Sequence, residues 1–201
     1  MKRKIMFFVL MLALVCTVPA YATDYDFFGT IPYHNTVLGW QVTTGASAVT
    51  VFTSSWDAGN FDPMLAVWDS TGNKVYQQDD GGNVGSTLSN GIPYTHGIWD
   101  TYYSLNLGAG IYTLTLATYY NWANGTNLSD PQFLYANDTP IPISSWYQPA
   151  NGYRLDAYEV HFLNATSVIP TNPVPEPCTM ILFGTGIAGA AGFLRKRSKK
   201  S

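Results

Sequence analysis

The stretch 179–194, TMILFGTGIAGAAGFL, carries no charge and stops against Arg195, Lys196, Arg197, Lys199 and Lys200. An apolar run with so abrupt a basic end asks for a membrane rather than a water-soluble core. As a helix rising about 1.5 Å per residue it is about 24 Å long. That is short of a hydrocarbon layer of about 30 Å, a mismatch that bilayer thinning and snorkelling of the flanking cations can absorb. The positive-inside rule keeps the basic end cytoplasmic and leaves everything upstream outside. Gly184, Ala188 and Gly192 recur every fourth position, so one helix face is nearly flat and suited to close packing against other membrane helices. A plain stop-transfer anchor, its small residues tolerated rather than used, is the simpler reading of the same run.

The front end agrees with export. Residues 1–4 carry Lys2, Arg3 and Lys4, residues 5–16 are apolar, and Ala20-Tyr21-Ala22 is an A-x-A cleavage site. This is a signal peptide (1–22) for the general secretory translocon and signal peptidase, and the mature chain is expected to begin at Thr23. Cys16 is not a lipidation site, because Val15 is not the small residue a lipobox places before its Cys.

Just before the apolar run stands Val174-Pro175-Glu176-Pro177. Triplet, short helix and basic end in this order resemble the PEP-CTERM sorting signal of exopolysaccharide-producing Gram-negative bacteria, a tail also labelled as the C-terminal domain of ice-binding proteins. The resemblance implies a membrane-embedded cysteine protease, exosortase, as partner, with cleavage near the triplet. It further implies transient anchoring in the inner membrane, then delivery to the cell surface or extracellular matrix. It names a route for the region 174–201, not the activity of the cargo.

The cargo lies between 23 and about 173. Both cysteines, Cys16 and Cys178, fall outside it, which excludes a disulfide framework or a thiolate metal site. Lys74 and Arg154 are its only Lys or Arg, against every acid of the chain except Glu176. Nucleic-acid binding is excluded, since phosphate contacts need clustered cations. An acidic surface suits an exterior rich in divalent cations or neutral glycans, and it also serves solubility alone.

The body reads as all-β. Candidate strands are 25–30, 37–42, 48–53, 64–68, 74–78, 102–107, 111–119 and 154–163, short runs rich in β-branched and aromatic residues and punctuated by Gly, Asn, Asp and Pro. In 111–119 Tyr112, Leu114 and Leu116 alternate with threonines, the period-two pattern of a half-buried antiparallel strand. No part of the body shows sustained helical periodicity. About eight strands in this length predict a jelly-roll-like antiparallel β-sandwich over 23–165, a linker over 166–173, and then the tail with its single transmembrane helix. The span 121–152 is a long irregular excursion, yet it carries Trp122, Phe133, Tyr135, Trp146 and Tyr147.

A second resemblance rests on FDPMLAVWDSTGN (61–73), QDDGG (78–82), Asp100 and LGAGIYTLTL (107–116). These resemble the pattern FDPxLxLxDxxG…DDG…D…LxAGxYxLxL of a family of secreted β-sandwich proteins similar to bacterial pre-peptidase C-terminal domains. The likeness covers 49–121 well and departs at Trp68 and in the insertion 83–99. It implies an accessory domain rather than a catalytic one, in a group where some members bind calcium and associate with polymers.

The acids can be weighed by themselves. Asp57, Asp62, Asp69, Asp79, Asp80 and Asp100 sit at strand ends and turns. Asp79 and Asp80, beside the flexible Gly81-Gly82, with Asp62 and Asp100 as third and fourth ligands, form an all-oxygen set that suits calcium. Turn chemistry alone also accounts for Asp before Gly, and the spacing is not an EF-hand.

Enzyme signatures are absent: there is no Gly-x-Ser-x-Gly and no His-Glu-x-x-His. His34, His96 and His161 are read as structural, His161 as a solvent-facing strand residue because it alternates with Val160 and Phe162. A flat ice-binding face would want a Thr-x-Thr ladder, and Thr113-Leu114-Thr115 alone does not make one. Trp122, Trp146 and Tyr147 in the excursion either close a lid over one sheet or stack on sugars. The expectation is thus a non-enzymatic exported protein of the surface or matrix, in the company of exopolysaccharide. A carbohydrate- or polymer-binding module is the alternative and a hydrolase of unknown type the third reading.

Overall fold

Runs of β-branched and aromatic residues, broken by Gly, Asn, Asp and Pro, set the architecture of the computed structural model, which describes residues 23–128 and 133–171. Its strands are β1 (Thr23–Thr30), β2 (Leu38–Thr44), β3 (Val49–Thr53), β4 (Pro63–Trp68), β5 (Lys74–Gln78), β6 (Gly85–Ser89), β7 (Ile92–His96), β8 (Tyr102–Leu105), β9 (Gly110–Thr118), β10 (Tyr147–Gln148), β11 (Gly152–Tyr153), β12 (Ala157–Ala165) and β13 (Ser167–Thr171). The signal peptide with Ala20 and Ala22, the 179–194 helix, the sorting residues Val174 to Pro177 and the basic end Arg195 to Lys200 lie outside the described residues.

Two antiparallel sheets carry the fold, in the orders β1-β12-β3-β8 and β13-β2-β9-β4-β5. The eight strands expected from sequence form four positions in each sheet, in the neighbour order of a jelly roll. The two inner faces meet in one core: Val51, Tyr103, Val160 and Phe162 from the first sheet against Trp40, Leu65, Leu114, Leu116 and Val168 from the second. Trp40 lies 6.0 Å from Phe162 and 5.8 Å from Tyr158, ring to ring. Burying each such aliphatic or aromatic side chain stabilises the fold by about 1.5–3 kcal/mol.

Three findings correct the sequence reading. First, the second half of β9, Leu114 to Thr118, is buried on both faces rather than one. Its second face, with Thr115 and Ala117, lies under Ala123, Phe133 and Ala136 of the excursion, beside Trp68. Trp68 Nε1 donates to Thr115 Oγ1 (3.0 Å), so the threonine that looked solvent-facing satisfies a buried indole. Second, the insertion 83–99 is a hairpin, β6–β7, turned by Asn90 and Gly91, both at positive φ. It covers the outer face of the first sheet. His161 on β12 is therefore fully enclosed, stacked on Phe52 (4.5 Å) and against Tyr94 (4.0 Å), not solvent-facing.

Third, the stretch read as a linker pairs along β2 as β13, from Ser167↔Thr43 to Thr171↔Gly39. Val168 enters the core there, while Ile169 stays exposed. Pro170 is tolerated because β13 is an edge strand, where a missing N–H can face outward.

Candidate functional site

Asp62 precedes β4, and Asp79-Asp80 follow β5; these strands are antiparallel neighbours, with Leu65 opposite Gln78, so the three acids meet at one end of the second sheet. One carboxylate oxygen from each of Asp62, Asp79 and Asp80 lies within 4.8 Å of the others. Asp62 is 1% exposed. Its Oδ2 accepts from Asn151 Nδ2 (2.8 Å), and its backbone N–H and C=O engage Gln148 Oε1 (3.4 Å) and Tyr119 N (2.7 Å). Its Oδ1, like Asp79 Oδ1, is buried with no hydrogen-bond partner among the described residues. Burial first, then repulsion from the neighbouring carboxylates, pushes Asp62 up to about 8 and Asp79 up to about 7. Burial also raises Asp80. An orphaned buried oxygen costs about 1–3 kcal/mol unless something binds it.

The turn that presents these acids is sterically fixed. Gly81 N donates to Asp100 O (2.8 Å), and a Cβ on Gly81 would stand 2.4 Å from Tyr102 N. Only glycine lets the Asp79-Asp80 segment lie this close to the start of β8.

Asp100 does not join the cluster. Its Oδ1 accepts from Thr53 Oγ1 (2.9 Å), Ser55 N (3.2 Å) and Trp56 N (3.4 Å), and its Oδ2 from Gly97 N (2.9 Å). It is a buried staple between the end of β3 and the loop before β8. Asp69 likewise closes its own turn, accepting from the amides of Thr71 and Asn73 (both 2.9 Å). Asp57 is exposed beside Gly97.

A second polar array was invisible in the sequence. His161 Nδ1 lies 2.7 Å from Asp26 Oδ1, and its Nε2 lies 2.8 Å from Ser54 Oγ. Ser54 Oγ is in turn 2.7 Å from Glu159 Oε2. The residues come from β1, the end of β3 and β12, so no spacing betrays them. The first three have the relation of a nucleophile, base and orienting acid. The neighbouring amides, however, are spent: Ser54 N donates to Glu159 O (3.3 Å) and Ser55 N to Asp100. Neither of these two amides is free to receive an oxyanion at Ser54 Oγ. Burial lowers the His161 pKa against the pull of Asp26. What the array supplies is a hydrogen-bonded link of β1, β3 and β12.

The aromatic residues separate. Trp146 is half-buried, packs on the main core, and lies 5.2 Å from His34 and 5.7 Å from Tyr135. Trp122 is half-buried 6.1 Å from Tyr120. Tyr147 alone of the three is fully exposed, paired with Tyr153 at 5.3 Å on the β10–β11 hairpin. Among the described residues the excursion is thus mostly a cover, with the exposed Tyr147–Tyr153 ring pair standing on it.

Residues 173–197 match the PEP-CTERM protein-sorting motif. The motif supports an exported protein sorted by exosortase to the cell surface. No curated protein matches the chain.

Proposed function

We propose that this chain is an exosortase substrate whose mature form is a non-enzymatic β-sandwich of the cell surface or extracellular matrix. In this reading the general secretory translocon exports it and signal peptidase removes 1–22. Residues 179–194 hold it briefly in the inner membrane with Arg195, Lys196, Arg197, Lys199 and Lys200 on the cytoplasmic side. Exosortase then releases it near Pro175-Glu176-Pro177 into a setting shared with exopolysaccharide. The observation that carries this is the motif match at 173–197, which begins two residues after the last strand ends at Thr171. The folded body runs almost directly into its sorting tail. The test is deletion of 174–201: export continues, and the protein is lost to the medium instead of being sorted through the membrane. Unchanged sorting of the truncated chain would overturn the reading.

A second reading has one observation behind it. Tyr147 and Tyr153 are 65% and 68% exposed, edge to face, on a short hairpin. Such a pair suits stacking on a sugar ring and makes the body a carbohydrate- or polymer-binding module. Replacing both with Ala should weaken retention on a neutral polysaccharide column by about 1–3 kcal/mol per stacked ring. Unchanged retention would remove this reading and leave the first intact.

A further inference from the structure

We infer that Asp62, Asp79 and Asp80 bind one hard divalent cation, calcium, and that the bound ion clamps the 121–152 excursion onto the sandwich. This goes beyond the sorting reading and does not depend on it.

Geometry comes first. Three carboxylate oxygens within 4.8 Å of one another can share one ion at Ca–O distances of about 2.3–2.6 Å. Two of the acids each present a buried oxygen, Asp62 Oδ1 and Asp79 Oδ1, that no described residue satisfies. For Asp62 this is a side chain almost wholly removed from water, with its other oxygen already engaged by Asn151.

Among the described residues no Lys or Arg forms an ion pair with the three carboxylates, and Arg154 attracts Asp62 only without direct contact. Lys74 Nζ is directed to Gln77 Oε1 and the Ala123 carbonyl. Arg154 donates to the carbonyls of Asn60 and Trp56 and lies 3.6 Å over the Trp56 ring. Among the described residues, the ion pairs are His34–Asp138 and His161–Asp26, and neither touches the cluster. A cation from solution is the remaining way to keep three such carboxylates together in their ionised form.

Chemistry selects the ion. The donors are all oxygen, with no imidazole or thiolate in the group, which favours a hard cation over zinc or copper. Asp80 is exposed, leaving one side open for water ligands. Calcium accepts such irregular sets of carboxylate, carbonyl and water, whereas magnesium demands a near-ideal octahedron.

The coupling follows from who holds Asp62. Its partners Gln148 and Asn151 belong to the excursion, and Tyr119 lies where β9 leads into it. Fixing Asp62 fixes the base on which the exposed Tyr147–Tyr153 pair stands.

The test uses the full-length chain in detergent, with calcium chloride against EDTA. The melting temperature should climb with the logarithm of calcium concentration. Protease nicking within 121–152 should slow in parallel. Asp79→Asn and Asp62→Asn should abolish both responses, while Asp69→Asn, which alters an acid outside the cluster, should keep them. If Asp62→Asn does not fold, Asp80→Asn at the exposed edge serves, with at least a tenfold weaker response expected. Melting curves that coincide in EDTA and millimolar calcium would overturn the inference, as would an Asp79→Asn chain that still responds like the parent. A calcium-raised melting temperature with unchanged nicking would overturn the clamp.

Discussion

At the scale of single residues, the acid cluster makes opposite demands in the two solution conditions. Without calcium, Asp62 and Asp79 hold protons more tightly folded than unfolded, with pKa values near 8 and 7 against an ordinary value of 3.8. Asp79, Asp80 and Asp100 repel the Asp62 charge, while Arg154 attracts it. A carboxyl raised in this way stabilises the fold while protonated, and that stability is lost as pH rises through the folded pKa. In EDTA the urea midpoint should therefore fall between pH 5 and pH 8.5, and Asp79→Asn should flatten the slope. A midpoint that rises over this window would contradict the assignment. Gly81 gives a sharper steric prediction. Gly81→Ala drives a methyl toward Tyr102 N at 2.4 Å, a backbone atom that cannot swing aside. It should cost at least about 1–3 kcal/mol in denaturant unfolding. Gly85→Ala, with nothing within 4 Å, should stay within about 0.5 kcal/mol of the parent. Equal midpoints for the two variants would show that the turn relaxes.

At the scale of elements, the excursion and β13 carry the consequences. Trp68 is fully buried between Thr115 and the covering Phe133, 6.3 Å ring to ring. Trp68→Ala should cost about 3–5 kcal/mol. Trp146→Ala, half-buried against His34 and Tyr135, should cost less but still about 2 kcal/mol; an unchanged midpoint would mean that the lid does not hold there. These elements also mark how far the sequence could be read. Eight of the nine strands of the two sheets were legible, because period-two alternation and Gly or Asp punctuation are local signals. The β6–β7 hairpin carried a strong turn signal in Asn90-Gly91, but its outer face, with Leu88 and Pro93, lacks clean alternation. β13 was read as a linker because Ile169-Pro170-Thr171 looks unstructured until β2 offers it an edge. The meeting of Asp62, Asp79 and Asp80 was visible as a set of acids at strand ends. Asp100 was misplaced in that set because its four donors come from distant backbone and side chains. The Asp26–His161–Ser54 array had no sequence signal at all, its members being joined only by the sheet.

At the scale of the whole molecule, the spacing between fold and tail decides what release must leave behind. β13 ends at Thr171 and the triplet begins at Pro175, so three residues, 172–174, separate them. A fully extended chain spans at most about 3.3–3.6 Å per residue, so the sandwich stands within about 10–15 Å of the triplet before cleavage. Cleavage upstream of Ser167 would strip β13, expose the β2 edge and remove Val168 from the core. An unpaired edge of that kind invites pairing with another chain. Release near the triplet avoids this. Protein recovered from the matrix should therefore begin at Thr23, retain Thr171 and lack 195–201. Intact-mass measurement of the matrix fraction checks all three ends of the claim at once. Pro175→Ala, Glu176→Ala and Pro177→Ala together should hold the chain in the membrane fraction at full tail length. A chain truncated after Ala165 should unfold at lower denaturant than one ending at Thr171, by about 2 kcal/mol or more for the lost strand and its buried Val168. Recovery of the 195–201 peptide on matrix protein would overturn cleavage sorting and make the apolar run a permanent anchor.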